Sequence, residues 1–254
     1  GLQVQVDYKK QASPDSPLPA PIHKLLVDQL KSFLLVGGMP ESVTEWIENH
    51  DYAACSNINS DILDTYRNDF NKYKKRVSPE LLRQVLRSVA HQIGDKFVFN
   101  QAAEGVRSVQ VKDALRLLSL AGLITPVVHT NANGIPLGAE ENAKYTKYLF
   151  LDTGLLLTLL GTPATDILLA SDVGLVNDGP LAEMFAGLEM MKYKNCFQRN
   201  DMYYWQHHSK NGSAEIDYLD VRNATVLPIE VKAGTQGAMQ SLYFFMLRTA
   251  RSLS

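Results

Sequence analysis

Cysteine is scarce in this chain: its 254 residues contain two, Cys55 and Cys196, far apart and without paired spacing. That excludes a disulfide framework and a thiolate zinc site, and it suits a reducing cytoplasm. No apolar run reaches the roughly 18 residues that would cross a bilayer. The opening GLQVQVDYKK also lacks the apolar centre of a signal peptide, so no membrane partner is expected. Neither sign of charge dominates. With 25 Lys and Arg against 27 Asp and Glu, the formal net charge is −2, so any nucleic-acid contact must be a local patch and not a chain-wide basic footprint. What is present is ordinary for a globular chain: the length suffices for one large domain or two to three small ones.

Hydrophobic periodicity divides the chain into three segments. Residues 11–21, QASPDSPLPAP, read as an extended lead-in because four prolines interrupt it. Helical spacing follows at Leu26, Leu30, Phe33 and Leu34, and Gly37-Gly38 with Pro40 stop that helix. A second helix is expected from about 41 to 49, and a longer one carries Ile62, Leu63, Tyr66, Phe70 and Tyr73 on one side. The basic run KYKKR, 72–76, sits where cations suit a helix C-terminus and reads as a solvated face. In the next segment Ser78 is a good N-cap, Pro79 takes the favoured first helical position, and Leu82, Val85, Leu86, Val89 and Ile93 form the buried stripe. A short helix around NQAAEG precedes SVQVKDALRLLSLAGLI, with Ser108 as its cap and Gly122 as its stop. ITPVVHTNANGIPLG then reads as β-structure with an Asn-Gly turn signal. Three helices and a two-stranded wing make a winged helix. Its last helix would bury Val111, Leu115 and Leu118 and expose Gln110, Lys112, Asp113 and Arg116, a poor charge balance for reading a DNA groove.

The third segment carries the chemistry. GPLAEMFAGLEMMKYK is an amphipathic helix with Leu181, Met184, Phe185 and Leu188 on its apolar side. DMYYWQHH is strand-like, and SAEIDYLDV alternates, placing Glu215 and Asp217 on one face and Ile216 and Tyr218 on the other. TVLPIEVKAG reads as a further strand ended by Gly234, with Glu230 and Lys232 on one face, and QSLYFFMLRTA is helical. Helix, three strands, helix describes an α/β sheet flanked by helices. Its charged groups, Glu183 or Glu189 with Asp217, Glu230 and Lys232, would meet at one end of the sheet. Three carboxylates suit a hard divalent cation such as Mg or Mn. The lysine beside them suits an attacking water or a charged transition state, the equipment for phosphodiester hydrolysis. An isolated Glu-x-Lys on a strand is more often a solvated pair that contributes little. His207 and His208, being adjacent, point to opposite faces, so at most one can face such a site.

GPLAEMFAGLEM, YYWQHHSKNGSAEIDYL and PIEVKAG together resemble the PD-(D/E)XK nuclease-like domain at the C-terminus of a large family of bacterial and archaeal AAA-type ATPases. FLLVGGMPESV, INSDILDTYRNDFNKY and YLFLDTGLL are similar to segments of the same family in the same order, so the resemblance runs from about residue 18 to the end. It implies an α/β plus all-α architecture: a helical lid-like segment at 1–76, a winged helix at 77–147 and a restriction-endonuclease-like α/β domain at 148–254. It also selects Glu183 over Glu189 as the helix carboxylate, since Gly179 precedes it in the motif's spacing. Glu183, Asp217 and Glu230 then become the expected metal ligands, with Lys232 as the fourth catalytic group and Glu215 in a supporting place. The implied function is metal-dependent hydrolysis of DNA or RNA. The alternative is a non-catalytic module that binds nucleic acid or protein for the ATPase.

The phosphate-cradling Gly-x-x-x-x-Gly-Lys-Ser/Thr of that family is absent. ATP is therefore expected only in an N-terminal ATPase domain upstream of this chain, which would itself be a partner. The end, TARSLS, falls where the family's nuclease-like core continues, so a truncated sheet is expected.

Overall fold

The structure, a computed structural model, describes residues 7–252 apart from 9, 11, 14, 170–178, 195, 196, 198–200, 210, 211 and 233–238. Cys196 and Gly234 lie outside the described residues. The first long helices are α1 (Ala20–Val36), α2 (Pro40–Asn49) and α3 (Tyr52–Asp69). Gly37 ends α1 at φ 77°, a conformation that suits glycine, and its N–H donates to the Phe33 carbonyl at 2.8 Å. Asp51 caps α3 by accepting from the Ala53 and Ala54 amides at 2.8 and 3.1 Å.

Helix α4 (Pro79–His91) starts as its sequence predicts, with Ser78 Oγ accepting from the Leu81 amide at 3.2 Å. Leu82, Val85, Leu86 and Val89 are buried, each worth roughly 1.5–3 kcal/mol relative to exposure. A 3-10 turn, Phe99–Gln101, stands where NQAAEG suggests a short helix. Helix α5 (Ser108–Leu120) differs by one residue from expectation. Arg107 is its N-cap and Ser108 is already helical, so no side chain caps it. Val111, Leu115 and Leu118 are buried, while Gln110, Lys112, Asp113 and Arg116 are exposed.

Strands β1 (Ile124–Thr130) and β2 (Glu141–Phe150) form the hairpin. Its turn is not a tight Asn-Gly turn. The loop spans 131–140 with a 3-10 turn at Leu137–Glu140, the positive φ falls on Ala132, and Thr130 Oγ1 donates to the Leu137 carbonyl at 2.7 Å. Helices α6 (Thr153–Leu160), α7 (Ala164–Leu169) and α8 (Pro180–Lys192) follow. Then come β3 (Met202–Ser209), β4 (Gly212–Arg222), β5 (Thr225–Ile229) and α9 (Gln240–Ser252).

The strands join in one five-stranded mixed sheet of order β2-β1-β3-β4-β5, its β1–β3 pair parallel and the others antiparallel. The hairpin is thus continuous with the strands of the third segment. One apolar core extends from Leu34 and Leu63 through Leu82, Leu118 and Phe150 to Met184 and Tyr218. A second, smaller cluster lies under α9, where Phe245 packs on Trp205, Ile216 and Leu219.

Two corrections concern the strands that carry the expected site. Tyr203 pairs with Leu219 but Trp205 pairs with Ile216, so β4 carries an extra residue there, a bulge. Simple alternation puts Ile216 and Tyr218 on one face. Instead Ile216 packs under α9, while the Tyr218 hydroxyl donates to the Glu183 carbonyl on α8 at 2.7 Å. Next, β5 ends at Ile229, so Glu230 and Lys232 lie beyond the strand. The physical reason is beside them: the Asp217 carboxylate, not a backbone carbonyl, accepts the Val231 N–H at 2.7 Å.

Three of the segments that carry the resemblance meet at one junction. Asp152 accepts from the Leu155 amide at 3.0 Å, capping α6, and from the Gly38 amide at 2.7 Å. Buried Asn59 donates to the Val36 carbonyl at 3.3 Å and accepts from Ser42 Oγ at 2.6 Å. Gly154 is pressed so close that a Cβ there would lie 2.4 Å from the Val36 oxygen. VGGMPES, Asn59 and LDTGL are therefore parts of one contact, which fixes the helical segment against the strand that ends at Phe150.

Candidate functional site

Helix α8 lies across the sheet with Leu181, Met184 and Gly187 buried. At Gly187 an added Cβ would sit 2.5 Å from the Tyr218 hydroxyl oxygen. This close approach brings Glu183 to the sheet, and β2 meets it there with a residue that the sequence reading missed. Lys147 Nζ lies 3.0 Å from Glu183 Oε1 and is also ion-paired with Glu215. Its side chain is 4% exposed, and its ammonium stands 5.2 Å from the centre of the Tyr204 ring. The Tyr204 hydroxyl is buried and, among the described residues, has no hydrogen-bond partner.

The charges explain one another. Burial disfavours the Lys147 ammonium, but Glu183 and Glu215 outweigh it and hold the amine protonated above the usual lysine range. One ammonium cannot neutralise three carboxylates. Burial, with Asp217 and Glu215 adding to it, pushes the Glu183 carboxyl up to about 7 in spite of Lys147. Burial also raises the Asp217 carboxyl, against the Val231 amide and Lys147, which favour its charged form.

Of the expected site residues, Glu183 and Asp217 come together around Lys147, and Glu215 joins them as a direct partner of the lysine. Glu230 and Lys232 adjoin this group through Val231 but pair with each other. Glu230 is nearly enclosed and among the described residues its Oε2 accepts no hydrogen bond, whereas Lys232 is half-exposed. Glu189 pairs with Lys192 on its own helix. His207 stacks against Trp205 and Phe244, which also meet each other, and accepts from Arg248 at 3.2 Å, on the α9 side. His208 instead lies beside Lys96. The sequence shows Lys147 only as a lysine inside the strand-forming run YTKYLF, and nothing local in that run ties it to the acidic residues.

A divalent cation does not fit the side chains as they stand. Among the described residues no group of three His, Cys, Asp or Glu side chains is placed to hold a metal ion, and the Lys147 ammonium already lies against two of the carboxylates. What the arrangement does chemically is join β2, α8 and β4 by a buried ionic contact. Among the described residues no helix is long and apolar enough to cross a membrane.

No curated protein and no solved structure matches the chain. Residues 178–251 match a family model described as Domain of unknown function (DUF4143), a domain often found in the C-terminal regions of AAA-type ATPases. Residues 27–166 match another, so Lys147 comes from one matched segment and Glu183, Glu215 and Asp217 from the other. That second match spans more than half of the 254 residues, and the chain belongs to the family it describes, Domain of unknown function (DUF8612).

Proposed function

We propose that the chain is part of the C-terminal region of an AAA-type ATPase and serves it as a non-catalytic binding module, holding nucleic acid or a protein partner without cutting it. The 178–251 match supports the association with AAA-type ATPases. One observation carries the non-catalytic half: the cation among the acidic residues of the nuclease-like motif is the protein's own Lys147. A tethered ammonium pairs with two of the carboxylates, yet it polarises no water and leaves no open coordination position.

Metal-dependent phosphodiester hydrolysis, with Lys232 assisting, is the second reading. It is favoured by Glu230 Oε2, a buried carboxylate oxygen without a hydrogen-bond partner among the described residues. Labelled single-stranded and duplex DNA and RNA, incubated with the chain in Mg or Mn, separate the two. The binding-module reading expects intact substrate. Cleavage that disappears in both Asp217→Asn and Lys232→Ala would replace it with the hydrolytic one.

A further inference from the structure

Beside the carboxylate cluster lies a cationic patch built on an exposed aromatic ring. Tyr145, on β2 two residues before Lys147, is 41% exposed. The Lys96 and Lys144 ammonium groups each stand 5.7 Å from the centre of its ring. Lys96 Nζ is also 3.3 Å from Nε2 of exposed His208. Among the described residues neither lysine forms a salt bridge, whereas Lys72, Lys192 and Lys232 all pair with a carboxylate nearby in sequence. Two ammonium groups converging on one ring repel each other. The patch is also connected to the cluster. The Tyr145 ring lies 6.1 Å from His129, which lies 5.5 Å from Tyr204, the ring under Lys147.

We infer that Lys96, Lys144, Tyr145 and His208 form a binding site for the phosphodiester backbone of single-stranded nucleic acid. The inference rests on the binding-module reading and names its ligand. The lysines supply phosphate contacts, and the exposed tyrosine between them adds an aromatic surface of the kind that single strands use without sequence preference. The chain's small negative net charge makes such a local patch necessary for any polyanion to bind.

The test is fluorescence anisotropy with a labelled single-stranded DNA oligonucleotide, titrated with the whole chain at several salt concentrations. The double variant Lys96→Ala/Lys144→Ala should lower the salt slope by about 1.4, taking about 0.7 per lost contact on a single strand, and weaken binding about 25-fold near 0.1 M salt. Tyr145→Ala should weaken it about tenfold. Lys74→Ala/Lys75→Ala, removing two exposed lysines elsewhere, should leave it unchanged. Absence of binding by the unaltered chain, an unchanged slope in the Lys96/Lys144 variant, or equal weakening by the control would each overturn the site. So would displacement of the oligonucleotide by millimolar inorganic phosphate, which would mark the patch as a site for the free anion. Cleavage of a bound oligonucleotide would overturn the non-catalytic reading and leave this site standing.

Discussion

Replacing Lys147 by methionine removes the ammonium while retaining much of the side-chain volume. The unaltered side chain is 4% exposed and pairs with Glu183, 16% exposed, and Glu215, 30% exposed. Breaking a buried ion pair by deleting one partner costs about 3–5 kcal/mol, because the remaining charges stay desolvated and unpaired. The partial exposure of Glu215 puts the expected loss at the lower end, about 3 kcal/mol near pH 8. That loss should shrink on acidification. The Glu183 carboxyl already takes up a proton near 7, so at about pH 5.5 one of the two abandoned carboxylates is neutral. Urea unfolding at both pH values, followed through the fluorescence of Trp46 and of buried Trp205, measures the difference. A loss below about 1 kcal/mol at pH 8, the size of a surface pair, would refute the reasoning. So would a loss that stays constant or grows on acidification.

The Glu183 carboxyl is raised from 4.5 to about 7 in the folded chain, so the folded state holds a proton that the unfolded state has released. Its contribution to stability is complete below about pH 4.5 and declines as pH rises to about 7, by roughly 3 kcal/mol. Glu183→Gln should flatten that decline in unfolding measured from pH 5 to 8, and an unchanged slope would assign the effect to another group. Asp152→Ala removes the cap of α6 and the acceptor for the Gly38 amide, and should cost about 2 kcal/mol in urea unfolding. Gly154→Ala forces a methyl group to within 2.4 Å of the Val36 carbonyl oxygen. Because that neighbour is backbone, a loss of about 3 kcal/mol is expected, and a thermal midpoint equal to that of the unaltered chain would show that the junction yields.

Local signals were legible wherever a nearby residue decides the structure. Ser78 and Pro79 place the start of α4, Gly37 and Gly122 stop their helices, and the apolar spacing of α5 separates its buried from its exposed side. The alternation of β4 was legible only in part, because a bulge against β3 shifts Tyr218 and depends on a partner strand that local spacing does not specify. The strand expected to carry Glu230 and Lys232 ends early for the same reason, since the Asp217 side chain takes the Val231 amide. The parallel pairing of β1 with β3 bridges more than seventy residues of sequence, and no periodicity encodes it. That pairing brings β2 beside the motif-bearing strands and delivers Lys147 to them. Glu183, Asp217, Glu230 and Lys232 could therefore be named from spacing and resemblance, while the cation that sits among them could not.

Titration of the chain with Mn by calorimetry tests most directly whether Lys147 takes the cation's place. No binding heat is expected up to millimolar metal, because the carboxylates already hold an ammonium. A saturable Mn site in the unaltered chain that vanishes in Asp217→Ala would contradict this and establish the acidic residues as metal ligands.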